Sequence, residues 1–174
     1  SKFDKVLTIE DGGSVFSRFE MASVSNEELF LIIDDDMFPT NNYLENVIEF
    51  YNNNADCIIA SSGRIFHNTT YFPNTAIGSI NYSKARQVHM GTNGWFLSRK
   101  SIDEMLTTHN TKNYNNGEDI ALSFINLKKR KVKTYVISQD DTTNSDRYRH
   151  QRGLGEEALS HSSKHREFYV QRNE

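Results

Sequence analysis

At 174 residues and 36% hydrophobic content, the chain is long enough to form one domain with a buried core. Its formal net charge of −3 argues against a dedicated nucleic-acid binder and against a polybasic membrane surface. No apolar run approaches the roughly 20 residues of a membrane span. The only cysteine, Cys57, excludes an internal disulfide and reads as a core residue. With no leader peptide legible, the expected location is cytoplasmic.

Residues 5–9 alternate weakly and run into Asp11-Gly12-Gly13, a turn signal. Val15, Phe16, Phe19 and Ala22 then recur at helical spacing. Leu29-Phe30-Leu31-Ile32-Ile33 is short, continuous and partly β-branched, as a buried strand should be. Pro39 and Asn41 open a helix with Tyr43, Leu44, Val47, Ile48 and Tyr51 on one face, and Asn52-Asn53-Asn54 closes it. Residues 56–61 read as a second buried strand, which gives strand–helix–strand, the unit of a parallel sheet. From residue 62 to 86 no period is sustained, and a stretch of that kind is usually functional or mobile.

Extended structure resumes at residues 88–97, interrupted by Gly91-Thr92-Asn93-Gly94. Residues 101–107 read as a short helix capped by Ser101. A stronger helix follows Asn115-Asn116-Gly117, with Ile120, Ala121, Phe124, Ile125 and Leu127 as its buried stripe. Lys128-Lys129-Arg130-Lys131 at its end suits the negative pole of the helix and reads as a solvated terminus. Residues 133–137 form a last strand, and the polar remainder reads as an edge segment or closing loop. With no internal repeat or linker, residues 1–174 are expected to be a single domain.

Chemistry concentrates in two places. Asp34, Asp35 and Asp36 stand at the mouth of the first buried strand, where three carboxylates repel one another unless a cation or a donor network holds them. Ligands of open α/β sheets bind beyond the carboxyl ends of strands, so a divalent metal carrying a phosphorylated ligand fits this position. The bland alternative is an acidic turn capping the next helix. The second place is Gly117-Glu118-Asp119, where capping by first-turn carboxylates is again a sufficient account. Its pairing with the aspartate triplet and with Gly91-Thr92-Asn93-Gly94-Trp95 favours a shared cleft. A turn would present Trp95 there as an aromatic platform for sugar faces, and carboxylates would accept hydrogen bonds from hydroxyls.

These motifs, in this order, resemble nucleotide-sugar-dependent glycosyltransferases of the GT-A fold. Gly13-Ser14-Val15-Phe16-Ser17-Arg18, then a helix, then Leu31-Ile32-Ile33-Asp34-Asp35-Asp36, resembles their glycine–arginine helix followed by the D-x-D motif. Gly94-Trp95-Phe96 and Glu118-Asp119-Ile120-Ala121-Leu122-Ser123 resemble their acceptor-side glycine–aromatic segment and late E-D motif. The Asp-Asp-Asp form is similar to exostosin-type enzymes, and the C-terminal segment to a group of small bacterial and viral transferases. The resemblance implies an α/β fold, a GT-A-like (Rossmann-like) mixed sheet flanked by helices, here without the first N-terminal strands that usually grip the nucleotide base. The domain is thus expected to be N-terminally incomplete.

The implied activity is metal-dependent transfer of a hexosyl or deoxyhexosyl group from a nucleotide sugar to a saccharide hydroxyl. Asp36 would coordinate Mn²⁺ (or Mg²⁺), and Asp34 would share the metal or bind the donor's ribose beside Asp35. Arg18 would stabilise the diphosphate or shape its pocket. Gly94, Trp95 and Glu118 would contact the acceptor, and Asp119 would be the general base on the acceptor hydroxyl if the enzyme inverts the anomeric centre. The family's C-terminal metal histidine has three candidates, His150, His161 and His165. Partners would be the nucleotide-sugar donor and a saccharide or glycan acceptor, with no nucleic acid. Two other readings compete: a non-catalytic nucleotide- or sugar-binding module, and an aspartyl-nucleophile phosphatase, which Phe38 disfavours by standing where that chemistry needs Thr or Val.

Overall fold

The computed structural model describes residues 13–34, 37–38, 43–78, 84–109, 116–137 and 149–150. The fold is mixed α/β. Its elements in chain order are α1 (Ser17–Ser23), β1 (Leu29–Ile32), β2 (Met37–Phe38), α2 (Tyr43–Asn53), β3 (Ile58–Phe66) and β4 (Asn74–Ile77). They continue with β5 (Arg86–Val88), β6 (Met90–Ser98), α3 (Arg99–Thr108), α4 (Glu118–Arg130), β7 (Thr134–Val136) and β8 (Arg149–His150). The sheet runs β1-β6-β3-β7-β5, with β4 paired to β3, and β2 and β8 form a separate two-stranded ribbon. The weakly alternating residues 5–9 lie outside the described residues.

The expected parallel pairing of β1 with the strand after α2 is corrected. These two strands run the same way, but β6 lies between them and is antiparallel to both. The only parallel ladder among the described residues joins β3 to β7, Ile58 opposite Thr134 through Ala60 opposite Val136. Such a mixed sheet is common in large α/β folds.

Alternation along the strands divides the core. Ile58 and Ala60 of β3 and Trp95 and Leu97 of β6 face Phe16 just before α1, Phe19 of α1, Ile102 and Met105 of α3, and Ala121 and Leu122 of α4. The intervening residues Ile59 and Phe96 face the other way, onto Tyr43 and Val47 of α2, and Cys57 is buried with them as expected. Three helices thus cover one face of the sheet and α2 covers the other. The period-2 geometry of a strand makes this division obligatory. On α2 the buried stripe is narrower than the sequence implies, since Leu44 and Ile48 are exposed.

Three further expectations change. Residues 62–66, read as irregular, continue β3, which pairs with β6 and then hairpins into β4. Ser101 is not the cap of α3 but lies buried within it, and Ser98 holds the N-cap position. The buried stripe of α4 is rotated: Glu118, Ala121, Leu122, Ser123 and Asn126 are buried, whereas Phe124 and Leu127 are exposed. The rotation is possible because the two polar residues are satisfied. Ser123 Oγ accepts from the Gly91 N–H at 3.1 Å, and the Asn126 amide donates to the carbonyls of Ser101 and Leu122 at 2.9 Å each. At the end of α4, Lys128, Lys129 and Lys131 are exposed, but Arg130 folds back to pair with Asp56.

Candidate active site

Arg18 joins three of the sequence motifs. It lies on α1 between Phe16 and Phe19, whose fully buried rings fix the helix against the sheet. Its Nη1 donates to Oδ1 of Asp34, the residue two positions past β1, and its Nη2 donates to Oε1 of Glu118 at 2.6 Å. Below the guanidinium lies the ring of Trp95, 4.8 Å from its carbon, within cation–π range. The glycine–arginine segment, the first of the three aspartates and the late carboxylate pair therefore converge, with the tryptophan as their floor.

The convergence is electrostatically incomplete. Glu118 is 7% exposed. Burial pushes its carboxyl above the ordinary range and the neighbouring Asp119 charge pushes the same way, while Arg18 opposes both. Among the described residues, neither Arg18 Nε nor Glu118 Oε2 has a hydrogen-bond partner, although both are buried. Orphaned polar atoms of this kind are uncommon in protein interiors.

Asp119, next along α4, is half-buried, and its Oδ1 accepts from the Ile120 N–H at 2.7 Å. The carboxylate pair is thus split, with Glu118 turned inward onto Arg18 and Asp119 nearer solvent. The helix itself starts at Gly117, in the left-handed region at φ 97°, and no side chain caps it there.

The expected aromatic platform is corrected. Residues 91–94 are not a turn but part of β6, where the pairing with β3 shifts register between Ala60 and Ser62. Asn93 and Gly94 take positive φ, 61° and 120°, as a bulge requires, and Gly94 does so where a side chain would be strained. Gly91 is needed for a different reason: a Cβ there would lie 2.5 Å from that of Ala60. Trp95 is 1% exposed, packs against Phe19, and donates from Nε1 to the Gly91 carbonyl at 3.2 Å. It supports Arg18 from within the core and offers no open face.

Asp35, Asp36, His161 and His165 lie outside the described residues. The backbone of β8 sets His150 opposite Met37, the residue that follows Asp36. Among the described residues no three His, Cys, Asp or Glu side chains gather to hold a metal. What the described part offers a hard cation is oxygen chemistry, since Arg18 takes Oδ1 of Asp34 and leaves Oδ2.

A groove that the sequence reading missed opens beside this site. Its volume is about 570 Å³, and it is lined by Phe66, Tyr71, His89, Ile120 and Phe124, with Asn68, Thr69 and Thr70 at the β3–β4 turn. Phe66 is its hub, 5.5 Å from Tyr71, 6.0 Å from Phe124 and 6.1 Å from His89 between ring centroids. The available signal was the aromatic density of residues 66–72 inside a segment that lacked periodicity.

No protein-family model matches the chain, and neither does any curated protein. Among the described residues no helix is long and apolar enough to cross a membrane.

Proposed function

We propose that the chain is a metal-dependent glycosyltransferase of GT-A-like fold, moving a sugar from a nucleotide-sugar donor to a saccharide hydroxyl. The observation that carries this reading is Arg18, which ties the first residue of the aspartate triplet to the late Glu118-Asp119 pair. Motifs far apart in sequence thereby meet at the carboxyl end of a sheet strand, where α/β folds bind ligands. The mixed sheet with helices on both faces supports the same reading.

Both terminal nitrogens of Arg18 are engaged by carboxylates, so its role is to shape the donor pocket and not to reach the diphosphate. Asp36, with Oδ2 of Asp34, would hold Mn²⁺ or Mg²⁺, oxygen ligands being suited to both. Neutralisation of charge on the departing diphosphate is what such a cation would supply. Glu118, turned inward onto Arg18, holds the start of α4 in place. Asp119, nearer solvent, takes the proton from the acceptor hydroxyl as that oxygen attacks the anomeric carbon.

The test is turnover of a nucleotide-sugar panel with Mn²⁺ and a mixed glycan acceptor pool, read as nucleoside diphosphate released and glycan mass gained. Transfer of one sugar residue supports the proposal. Hydrolysis of a generic phosphomonoester without glycan gain would favour the phosphatase, and donor binding without turnover the non-catalytic module.

A further inference from the structure

We infer that the aromatic groove between the β3–β4 turn and α4 binds a neutral saccharide. This rests on the transferase reading in one respect only, that the saccharide is the acceptor. The groove and the carboxylates share one turn of helix. Ile120, which lines the groove, follows Asp119 directly, and Phe124 lies one turn further on the same face. At about 1.5 Å per residue, the groove residues of α4 lie roughly 1.5 Å (Ile120) to 8 Å (Phe124) from Asp119 along the helix axis.

The class of ligand follows from the lining. Phe66, Tyr71 and Phe124 supply aromatic surface, and among the described residues no Lys, Arg, Asp or Glu lines the groove. A uronate, sulfate or phosphate group would be desolvated there without an opposite charge, which is strongly unfavourable. A purely aliphatic ligand would waste the polar end of the groove. Asn68 Oδ1 already accepts from the Thr70 N–H at 2.9 Å, which leaves the Asn68 amide N–H groups to donate. His89 Nδ1 accepts from the Phe66 N–H at 2.9 Å, so the neutral ring carries its proton on Nε2. Aromatic faces beside undirected N–H donors suit a ring with apolar C–H faces and equatorial hydroxyls. A volume of about 570 Å³ also falls in the range of small-molecule sites.

The experiment screens the intact chain on an array of neutral and anionic oligosaccharides, with and without nucleoside diphosphate and Mn²⁺. The strongest neutral glycan is then titrated by saturation-transfer NMR against wild type, Phe124→Ala and Phe124→Leu. Phe124 is 42% exposed, so neither change should unfold the protein. The inference predicts neutral glycans on the array, with saturation transfer to their C–H protons. It also predicts about tenfold or more weaker binding by Phe124→Ala, and weakening by Phe124→Leu, which keeps bulk without an aromatic face. Nucleotide binding should be unchanged in both variants. Unchanged glycan affinity in Phe124→Ala, binding confined to anionic glycans, or no glycan binding would each overturn it. The last result would fit a groove covered by another part of the chain. Nucleotide binding without glycan binding would remove the groove assignment and leave the transferase reading. Phe124-dependent glycan binding without nucleotide binding would do the reverse.

Discussion

Among the described residues two arginines hold carboxylates to helices, and they do so differently. Arg130, near the end of α4, pairs with Asp56 and donates to Ser101 Oγ at 3.0 Å and Asn126 Oδ1 at 3.1 Å. Asp56 in turn accepts from Ser98 at 2.9 Å and from the Tyr51 hydroxyl at 3.2 Å. That network fastens α2, α3, α4 and β6 together. Arg18 also bridges elements, but it leaves its own Nε and Glu118 Oε2 buried without partners among the described residues. An unpaired buried polar atom costs about 1–3 kcal/mol. On the proposed function, a donor or metal bound at this site would complete those hydrogen bonds. Under the proposed function, the Arg130 network fastens the fold and the Arg18 network belongs to the site, although both use the same chemistry.

The largest expected effect breaks the functional side of this contrast. Asp119→Asn keeps shape and first-turn polarity and removes only the basic oxygen. Turnover should fall by roughly 10² to 10⁴ with donor affinity and melting temperature nearly unchanged. Near-normal transfer by the folded variant would reduce Asp119 to a helix cap, whose loss costs on the order of 1 kcal/mol or less when Asn replaces Asp.

The next comparison sets the two arginines side by side. Arg18→Met strands two carboxylates, one of them deeply buried, and should destabilise by about 2–3 kcal/mol. That is less than the roughly 3–5 for a fully buried pair, because the Arg18 side chain is 26% exposed. Arg130→Met should cost about 1–2 kcal/mol. Chemical denaturation measures both, and calorimetry adds the decisive split: Arg130→Met should keep donor binding and Arg18→Met should lose it. Equal retention of binding in both would erase the distinction drawn here.

The smallest effect concerns Glu118. Its carboxyl is raised above the ordinary 4.5, chiefly by burial and then by Asp119. The folded state therefore holds that proton to higher pH than the unfolded chain does. The stabilisation is fully present below the ordinary value and is lost as pH rises through the raised one. Glu118→Gln keeps an acceptor for Arg18 and cannot titrate. Subtracting its stability-versus-pH curve from that of wild type should leave a fall in wild-type stability beginning just above pH 4.5. A flat difference would mean that Glu118 is not desolvated as described.

Much of the scaffold was legible in the sequence because local patterns and tertiary needs agree there. The strand within residues 29–33, the Tyr43–Asn53 helix and the helix beginning at Glu118 all lie where the sequence pattern places them. Among the described residues, however, β1 is an edge strand with Leu29 and Ile33 exposed, not the buried strand its apolar run implies. The failures have physical causes. Ser62 and Gly63 look like loop residues, yet they pair with Thr92 and Gly91 of β6, a partner that no local window contains. The insertion of β6 between β1 and β3 is likewise a long-range event. Ser123 and Asn126 are buried against expectation because backbone groups elsewhere satisfy them, and this turned Phe124 outward into the groove. Trp95 was read as a platform because its flanking glycines imply a turn, whereas they make a bulge and a close strand contact. A shared cleft for the aspartate triplet and the Glu118-Asp119 pair was an expectation from the motifs, but the bridging of Asp34 and Glu118 by Arg18 was not. Nor were the orphaned atoms that distinguish it.

One titration tests the metal-linked donor site most directly. Nucleoside diphosphates are titrated calorimetrically into the intact chain with Mn²⁺, with EDTA, and with Asp36→Asn in place of wild type. The account predicts binding in Mn²⁺ alone, with a stabilisation of about 2.7 kcal/mol at 100 times the dissociation constant. It also predicts loss of that binding in EDTA and in the folded Asp36→Asn protein. Equal affinity in EDTA, or wild-type affinity in Asp36→Asn, would contradict it.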